Sequence, residues 1–383
     1  MVTNHSLKSS IISLLNEGAK TLAELRAATQ VSLPTLRLAL QELSDNGWVG
    51  PVGQSSPTGG RRATLYGLNG DTHLVIGVHL EIPALNMIVS SLDGEIIDRI
   101  HQEDQEELLP DDAIRKIILY VKQVLDAYPD RKLLGLGLAT PGFIDLASGK
   151  ILFSLRAPQW QNFPLKARLE RELCLPVIIE NDVDCMAIAE LTHAELPDVS
   201  DILYLGFTEG VKVSMIMGGQ LVKGPFGNAG MIGRATSSPD ESPEIASLSS
   251  ICRAFDQCLS TLPDPGKTLI AIASLSDRSA KFKAILNAIG TEEICENIVI
   301  NVIDTIAEEI SKLIRFLHSE LLIIGGALSH LPPNLQAYME NKVRKGLPSF
   351  INNHLLVRYA RMVGVRVAAT GVVHQFIERY EIN

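Results

Sequence analysis

A short basic segment near residue 60 contains residue types that suit contact with nucleic acid. It reads Thr58-Gly59-Gly60-Arg61-Arg62. Adjacent glycines let a backbone approach a partner closely, and a pair of arginines suits the narrow, electronegative minor groove of DNA. A solvated basic turn could have the same composition. The segment therefore indicates DNA contact through Gly59, Gly60, Arg61 and Arg62 only if the surrounding elements also fit that function.

Three short helices are predicted ahead of this segment. Apolar residues at helical spacing predict the first helix over 7–15. Thr21 and Glu24 have the spacing of a capping box at the start of the second helix. Ser32 is a suitable N-cap for the third helix, and Pro34 falls in its first turn, where a missing N–H costs nothing.

The third helix is predicted to be amphipathic. Its buried stripe consists of Leu33, Leu36, Leu40 and Leu43, and its outer face carries Thr35, Arg37 and Gln41. Trp48-Val49, a Gly/Pro/Ser-rich tip over 50–60 and a strand over 62–68 then predict a β-hairpin. Three helices and a hairpin are typical of a winged helix-turn-helix, whose last helix enters the major groove. We therefore predict a DNA-binding domain over 1–70; a helical protein-interaction module is the alternative.

The distribution of charge agrees with this position for a DNA face. The net charge of the chain is −10, which alone argues against a nucleic-acid partner. Residues 1–70 carry +2 and residues 71–383 carry −12. Phosphate binding depends on the local field, so only the first segment is a plausible DNA surface.

The composition excludes several other classes of protein. Hydrophobic residues make up 46% and charged residues 20%, a globular balance with no apolar run of membrane-spanning length and no apolar signal core at 1–10. We therefore expect a cytoplasmic protein without a membrane partner. The five cysteines form no CxxC pair and the nine histidines form no HxH or HxxxH cluster, so we expect no disulfide framework, metal or cofactor.

The rest of the chain alternates between strands and helices. Strands are predicted over 73–80, 85–92 and 95–100, with Asp93-Gly94 as a hairpin turn. Further strands are predicted over 133–139, 177–180, 202–207, 211–217 and 321–324, and helices over 111–128, over 184–193 and through most of 243–317. Three meandering strands at the start of an α/β lobe are similar to the actin-like nucleotide-binding fold.

Several segments of this body resemble motifs of the ROK family. They are Ala139-Thr-Pro-Gly142-Phe-Ile-Asp145, Ala157-Pro-Gln-Trp160-Gln-Asn162-Phe-Pro-Leu165, Leu175-Pro-Val-Ile-Ile-Glu180-Asn181-Asp182, Gly230-Met231-Ile232-Gly233-Arg234 and Gly325-Gly326. The resemblance implies an α/β protein in which a winged helix-turn-helix precedes a two-lobed actin-like (ribonuclease H-like, sugar-kinase) domain. It assigns residues 71–383 to an effector and dimerisation domain.

The resemblance also implies two glycine-rich hairpins that would surround the phosphates of ATP. The first, expected to read Asp-x-Gly-x-Thr, is His-Leu-Glu-Ile-Pro over 79–83. The second, expected to hold four glycines, is Thr-Glu-Gly-Val-Lys-Val-Ser over 208–214 and keeps one of them. Because both hairpins lack the residues that bind phosphate, we predict that the chain is not a kinase.

A sugar could still bind without being phosphorylated. By resemblance, Asp182 stands at the position of the catalytic base, where it would accept a hydrogen bond from a sugar hydroxyl. Asn181, Gly142 and Asn162 are predicted as further ligand contacts on the same basis. The alternative for Asn181 and Asp182 is a cap on the following helix.

Two other positions depart from the family pattern. Met231 and Arg234 replace the sugar-binding Glu and the zinc-binding His, and the later cysteine run of the zinc site is absent. Cys252 and Cys258 have the wrong spacing and are predicted as core residues. Arg234 would either contact an anionic ligand, such as a sugar acid or sugar phosphate, or form a structural ion pair with an acidic neighbour such as Asp240 or Glu241.

The sequence therefore predicts a homodimer or tetramer that binds a double-stranded DNA operator and responds to a sugar or sugar derivative. Two alternatives remain open at this point. One is a regulator with a degenerate ligand site that responds to a protein partner, and the other is an active ROK sugar kinase with an appended helix-turn-helix.

Overall fold

The computed structural model describes residues 4–56, 62–81, 84–102, 108–154, 157–193, 196–225, 227–232, 247–364 and 366–381. The chain forms two compact units. Unit 1 consists of Met1–Ala194 together with Gly364–Asn383, and unit 2 consists of Glu195–Val363. Within the described residues, no helix combines the length and apolarity needed to cross a membrane.

Unit 1 begins with three helices and a small sheet. The elements are α1 (Asn4–Asn16), β1 (Lys20–Thr21), α2 (Leu22–Thr29), α3 (Leu33–Asp45), β2 (Val49–Gln54) and β3 (Thr64–Leu68). Both predicted caps are confirmed: Thr21 Oγ1 accepts from the backbone N of Glu24 at 3.3 Å, and Ser32 Oγ accepts from that of Thr35 at 3.3 Å. The side chains of Leu36, Leu40 and Leu43 are buried, whereas Leu33 is half-buried.

The hairpin after α3 differs from its prediction in one respect. Residues 50–54, predicted as part of the tip, belong to β2, which pairs antiparallel with β3. The strand tolerates Pro51 because β2 is an edge strand in the order β1-β3-β2, and the register shifts between Pro51 and Gly53. Gly59, Gly60 and Arg61 lie outside the described residues.

The main sheet of unit 1 has the strand order β10-β7-β4-β5-β6. These strands are β4 (His73–Leu80), β5 (Leu85–Ser91), β6 (Ile96–Gln102), β7 (Lys132–Thr140) and β10 (Val177–Asn181). The predicted meander of β4, β5 and β6 is confirmed, and β7 runs parallel to both β4 and β10. The unit is completed by α4 (Pro110–Ala127), β8 (Phe143–Asp145), β9 (Lys150–Phe153), a 3-10 turn (Pro158–Trp160), α5 (Leu165–Leu173), α6 (Asp182–His193) and α13 (Val367–Arg379).

Unit 2 is built on a second mixed sheet of order β13-β12-β11-β14-β15. Its strands are β11 (Ile202–Phe207), β12 (Val211–Met217), β13 (Gln220–Leu221), β14 (Leu321–Gly326) and β15 (Leu356–Tyr359). Its helices are α7 (Leu248–Ser260), α8 (Lys267–Ala273), α9 (Arg278–Asn287), α10 (Glu293–Leu317), α11 (Pro333–Lys345) and α12 (Ser349–Asn352), with a 3-10 turn at Ala327–His330. In its described part, 247–317, the region predicted as mostly helical contains the four helices α7 to α10.

The C-terminal helix α13 joins the separate parts of unit 1 into one core. Ala369, Val373, Phe376 and Ile377 belong to the same buried cluster as leucines and isoleucines of α1 and α3 and as Val75 and Ile88 of the sheet. Trp48, which follows α3, stacks on His73 with ring centroids 4.1 Å apart and lies 5.6 Å from the ring of Tyr380. The three-helix segment and the main sheet therefore share apolar packing.

Glycines allow α13 to pack closely against its neighbours. A Cβ added to Gly137 of β7 would lie 2.7 Å from the carbonyl oxygen of Val372. A Cβ added to Gly77 of β4 would overlap the carbonyl oxygen of Ala369. Within α13, a Cβ on Gly371 would overlap the carbonyl oxygen of Cys185 in α6. Backbone therefore packs against backbone on two sides of this helix.

We expect Gly371→Ala to destabilise the protein. In a helix interior, alanine normally stabilises relative to glycine by about 1 kcal/mol. Here the added methyl group overlaps Cys185, so we expect a net loss of about 1–3 kcal/mol, typical of overpacking. Urea unfolding followed by circular dichroism measures this loss.

Gly210→Ala is the matched control, because a Cβ at Gly210 would meet no atom within 4 Å. That variant should unfold close to the wild-type midpoint. An increase in stability on Gly371→Ala would show that α6 and α13 can separate without cost.

Candidate functional site

Three parallel strands of unit 1 end at one edge of its main sheet. His79 of β4 is the partner of Ala139 in β7, and Thr140 of β7 is the partner of Asn181 in β10. Ligands of α/β proteins bind outside the carboxyl ends of such strands. The sequence-predicted Asn181 and Asp182 lie at this edge, and Gly142 follows β7 by two residues.

Asn181 caps α6. Its Oδ1 accepts hydrogen bonds from the backbone N of Val183 at 3.0 Å and of Asp184 at 3.3 Å. The helix begins at Asp182, two residues before the predicted start, because Asn181 rather than a later residue is its cap. The side-chain oxygen of Asn181 therefore caps the helix, as the alternative prediction stated. The N–H groups of the same amide can still donate to a ligand.

Asp182 is buried at the start of α6, where the helix dipole favours a negative charge. One carboxylate oxygen, Oδ1, accepts from the backbone N of Val183 at 2.8 Å. The other, Oδ2, lies 3.9 Å from Nε2 of His79, which is also buried. The sequence analysis placed His79 at the end of a strand and in an altered loop but not in the site; the pairing of β4, β7 and β10 brings it close to Asp182.

Gly142 and Asn162 both lie against β9. Gly142 has φ +95°, and a Cβ there would lie 2.6 Å from the carbonyl oxygen of Phe153. Asn162 is exposed, has φ +54°, and donates its backbone N–H to the carbonyl of Leu152 at 3.3 Å. Both positions need unusual backbone conformations, which asparagine and glycine tolerate. Their ligand contacts remain predictions.

The strand that leads to Asp182 is tied to α13 by a buried charge. Glu180 of β10 accepts a hydrogen bond from Arg379, which also donates to Gln375 one turn earlier in α13. Sequence analysis missed α13 altogether, although its apolar residues recur at helical spacing over 367–377. Its role depends on long-range contacts that a local pattern does not reveal.

A second tie joins α6 and α13 through two imidazoles. The Nε2 atoms of His193 and His374 are 3.0 Å apart. Burial, and then the neighbouring His193, lower the pKa of His374 from 6.5 to about 4, and burial also lowers the pKa of His193. The backbone carbonyl of His374 accepts from Asn16 Nδ2 of α1 at 3.1 Å, so α13 contacts both α6 and the first helix.

In each of the two hairpins that would hold phosphates, one backbone N–H is bonded within its own turn. In the first, the backbone N of Glu81 donates to the carbonyl of Ala84 at 2.9 Å. In the second, the backbone N of Thr208 donates to the carbonyl of Gly210 at 2.9 Å, and the Glu209 carboxylate pairs with Arg278 at 2.8 Å. Each turn thus places a carboxylate where a phosphate would need N–H donors.

Met231 lies in unit 2 and is half-buried. Its backbone forms an isolated antiparallel β-bridge with that of Lys212, a buried residue of β12. Arg234 lies outside the described residues. Cys252 belongs to the apolar core of unit 2, and burial raises the pKa of its thiol to about 11, while Cys258 is half-buried against the same core. Among the described residues, no group of three or more His, Cys, Asp or Glu side chains is placed to hold a metal ion.

The outer face of α3 is exposed at each position predicted to contact DNA. Thr35, Arg37 and Gln41 are all solvent-exposed, as is Arg62 at the start of the segment leading to β3. Gln41 Nε2 donates to Asp45 Oδ1 at 2.7 Å, which fixes its amide along the helix. The same face includes Leu38, 58% exposed, which the sequence analysis did not include.

A model of the ROK family matches residues 75–373, which confirms the resemblance drawn from the motifs. The chain is 27% identical over 309 residues to the xylose repressor of Caldicellulosiruptor bescii, covering 75% of this chain and 74% of that one. It is 24% identical over 295 residues to the glucokinase of Thermotoga maritima, covering 74% and 91%. Its fold is similar to a crystal structure of a ROK family transcriptional regulator homologous to the Mlc protein of E. coli, with a TM-score of 0.77, 15% identity and coverage of 98% and 96%.

The His193–His374 pair predicts a loss of stability in acid. The folded pKa of His374, about 4, lies below its ordinary value of 6.5, so the unfolded chain takes up a proton in that interval and the folded chain does not. Stability should therefore fall as the pH drops from 6.5 to 4, by about 1.4 kcal/mol per pH unit for one histidine. In His374→Gln the slope should be shallower by this amount, as measured by urea unfolding across the interval.

The slope should not vanish, because burial also lowers the pKa of His73 to about 4. The exposed His354 provides the control: His354→Gln should keep the wild-type slope. Equal slopes in wild type and His374→Gln would show that His374 is protonated in the folded protein.

Proposed function

The chain belongs to the ROK family, and we propose that it is a DNA-binding transcriptional repressor controlled by a sugar or sugar derivative. A relative of similar length, from Caldicellulosiruptor bescii, is named a xylose repressor. Three helices and a hairpin precede the segment that the family model matches, and the solved ROK family transcriptional regulator is similar over 98% of this chain. We propose that residues 1–70 form a winged helix-turn-helix and residues 71–383 the effector and dimerisation domain.

One observation supports this proposal most directly: the proposed DNA-binding segment and the strand edge with Asp182 share one compact unit. Helix α6 starts at Asp182, and its far end contacts α13 through His193 and His374. The backbone of His374 in turn accepts a hydrogen bond from Asn16 of α1. A ligand that moved α6 would therefore act on α13 and through it on α1, which is the kind of connection between two sites that allosteric control needs.

The proposed effector site needs hydrogen-bonding groups rather than phosphate-binding ones. The Asp182 carboxylate would accept from a sugar hydroxyl, and the amide of Asn181 would donate to one. Gly142 and Asn162 would bound the site near β9. We also propose Met231 and Arg234 of unit 2 as ligand contacts; a cation at Arg234 would favour an acidic sugar, unless it pairs with Asp240 or Glu241 instead.

Phosphoryl transfer is not part of the proposal. Catalysis of that reaction rests on backbone donors and metal ions around the transferred group. Here Glu81 and Glu209 stand in the two turns, and the N–H groups of Glu81 and Thr208 are bonded within those turns. The Glu81 carboxylate would repel the phosphates of ATP, and the Glu209 carboxylate occupies its turn as the partner of Arg278.

DNA would be bound by α3 and the wing. Thr35, Arg37 and Gln41 would reach base edges in the major groove, and Gly59, Gly60, Arg61 and Arg62 would contact the minor groove. A homodimer or tetramer would place two such winged helix-turn-helix domains on the half-sites of an operator. DNA affinity would then depend on whether the bound effector keeps the two winged helix-turn-helix domains at the spacing of the half-sites.

We expect two kinds of arginine variant to affect DNA binding differently. Replacing both Arg61 and Arg62 by alanine should weaken binding by roughly 1–3 kcal/mol and reduce the preference for A·T-rich flanking sequence. Arg37→Ala should instead change the preferred bases within a half-site. Operators selected from a random-sequence DNA pool by the full-length protein, followed by fluorescence anisotropy at several salt concentrations, measure both effects.

Arg171→Ala is the control, because Arg171 is an exposed arginine on α5 of the same unit. It should bind the selected operator as the wild type does. Unchanged binding by the Arg61/Arg62 double variant would mean that the wing is a structural turn only, and no selected sequence at all would contradict the proposed function.

We expect Asp182→Asn to weaken sugar binding. The amide oxygen can still accept from Val183, so α6 should keep its start, but a charged acceptor is lost. Affinity should fall by roughly 10- to 100-fold, the range for a hydrogen bond to a charged group. Titration calorimetry with D-xylose, D-glucose, glucuronate and glucose 6-phosphate measures this change, and Arg234→Ala in the same titrations tests for an acidic effector.

Asp126→Asn, an exposed carboxylate on α4, is the matched control and should bind sugar as the wild type does. Incubation of the wild type with the same sugars and Mg-ATP should give no sugar phosphate. Turnover near ~1 s⁻¹ would show a kinase. If none of these sugars or sugar acids binds, control by a sugar effector is contradicted, while DNA binding is not.

A further inference from the structure

Leu38 stands out on the outer face of α3 because of its size and apolar character. Its side chain is 58% exposed, whereas Leu36, Leu40 and Leu43 of the same helix are buried. At about 100° per residue, Leu38 lies within about 30° of the direction opposite the buried stripe. It is therefore near the centre of the face that α3 turns away from its own core.

The neighbours of Leu38 on this face are polar. Thr35 and Gln41 lie one turn before and one turn after it, Arg37 lies about 100° around the helix at the border of this face, and Glu42, one turn after Leu38, is paired with Lys8. Hydroxyl, amide and guanidinium groups are those that read base edges in the major groove. An α-helix with its side chains, about 10–12 Å wide, fits a groove about 12 Å wide, so the centre of the exposed face would lie deepest.

The electrostatics of α3 favour its first half as the part closest to DNA. Asp45, at the end of the helix, is exposed and engages Gln41, so its carboxylate would repel phosphate. The first half of the helix, from Leu33 to Leu38, contains no acidic residue. Leu38 lies in the second turn, within reach of the bases if this end enters the groove.

From this placement we infer that Leu38 determines sequence specificity by contact with the C5-methyl group of a thymine. This inference rests on the proposed function. A leucine has no hydrogen bond to offer, so it gains only by burying apolar surface. The thymine methyl is the apolar group that base edges present in the major groove. Leu38 would thus fix one T·A base pair in each half-site.

Replacing thymine by deoxyuridine tests the contact, because it removes the methyl group and leaves base pairing unchanged. The full-length protein first selects its preferred sequence from a random double-stranded pool. Each thymine of that sequence is then replaced in turn by deoxyuridine, and affinities are measured by anisotropy. At one thymine per half-site, the wild type should lose about fourfold in affinity, the factor for one methyl-sized group.

Leu38→Ala should lose affinity on the thymine operator and then show no further loss on the deoxyuridine operator. Leu119→Ala is the control, since Leu119 on α4 is also 58% exposed. That variant should keep the wild-type sensitivity. Both substitutions are at exposed helical positions, and circular dichroism should show wild-type folding for each.

Three results would overturn the inference while leaving the proposed function standing. The first is a wild type that binds every deoxyuridine operator as tightly as the thymine operator. The second is a Leu38→Ala variant that remains sensitive to the same replacement, and the third is a selected half-site without thymine. A protein that selects no sequence would instead overturn the proposed function, and this inference with it.

Discussion

The close backbone contact between α13 and α6 is the constraint on which unit 1 depends. At Gly371 a helix presents bare backbone to the carbonyl of Cys185, and at Gly77 and Gly137 the sheet does the same for the opposite side of that helix. Such contacts leave little freedom to slide, because backbone atoms at these points cannot move aside as a side chain can by changing rotamer. A shift of either helix therefore has to be transmitted to the other.

The polar ties of α13 are arranged around this apolar contact. Arg379 meets Glu180 immediately before the start of α6, and His374 meets His193 at the end of α6. Asn16 joins the same helix from α1, and Tyr380 reaches the ring of Trp48. The strand edge with Asp182 and the three-helix segment are thus both tied to the C-terminal half of a single helix, although the residues concerned are far apart in the sequence.

Local signals in the sequence predicted the local structure well. The caps at Thr21 and Ser32, the Asp93-Gly94 turn and the predicted strands of both sheets depend on residues that are neighbours in the chain, and these predictions are confirmed, whereas the short edge strands β13 and β15 were not predicted. The strand over 50–54 was missed because its Gly and Pro residues are tolerated only by pairing with β3. The approach of His79 to Asp182 and the position of α13 depend on strand register and helix packing over more than a hundred residues, which no local pattern encodes. For the same reason, the sequence could indicate Asn181 as either cap or ligand contact but could not choose between them.

The order of synthesis gives the return of α13 to unit 1 a further consequence. Residues 364–383 leave the ribosome only after residues 195–363 have been made. At about 5–20 residues per second, this delay lasts roughly 10 to 30 seconds. Through that interval the nascent first unit lacks the helix that covers Gly77, Gly137 and Cys185, so its main sheet and α6 have exposed apolar surface. The unit that contains α3 completes its core only when α13 emerges, so a translation product that stops before α13 would have an incompletely folded DNA-binding segment.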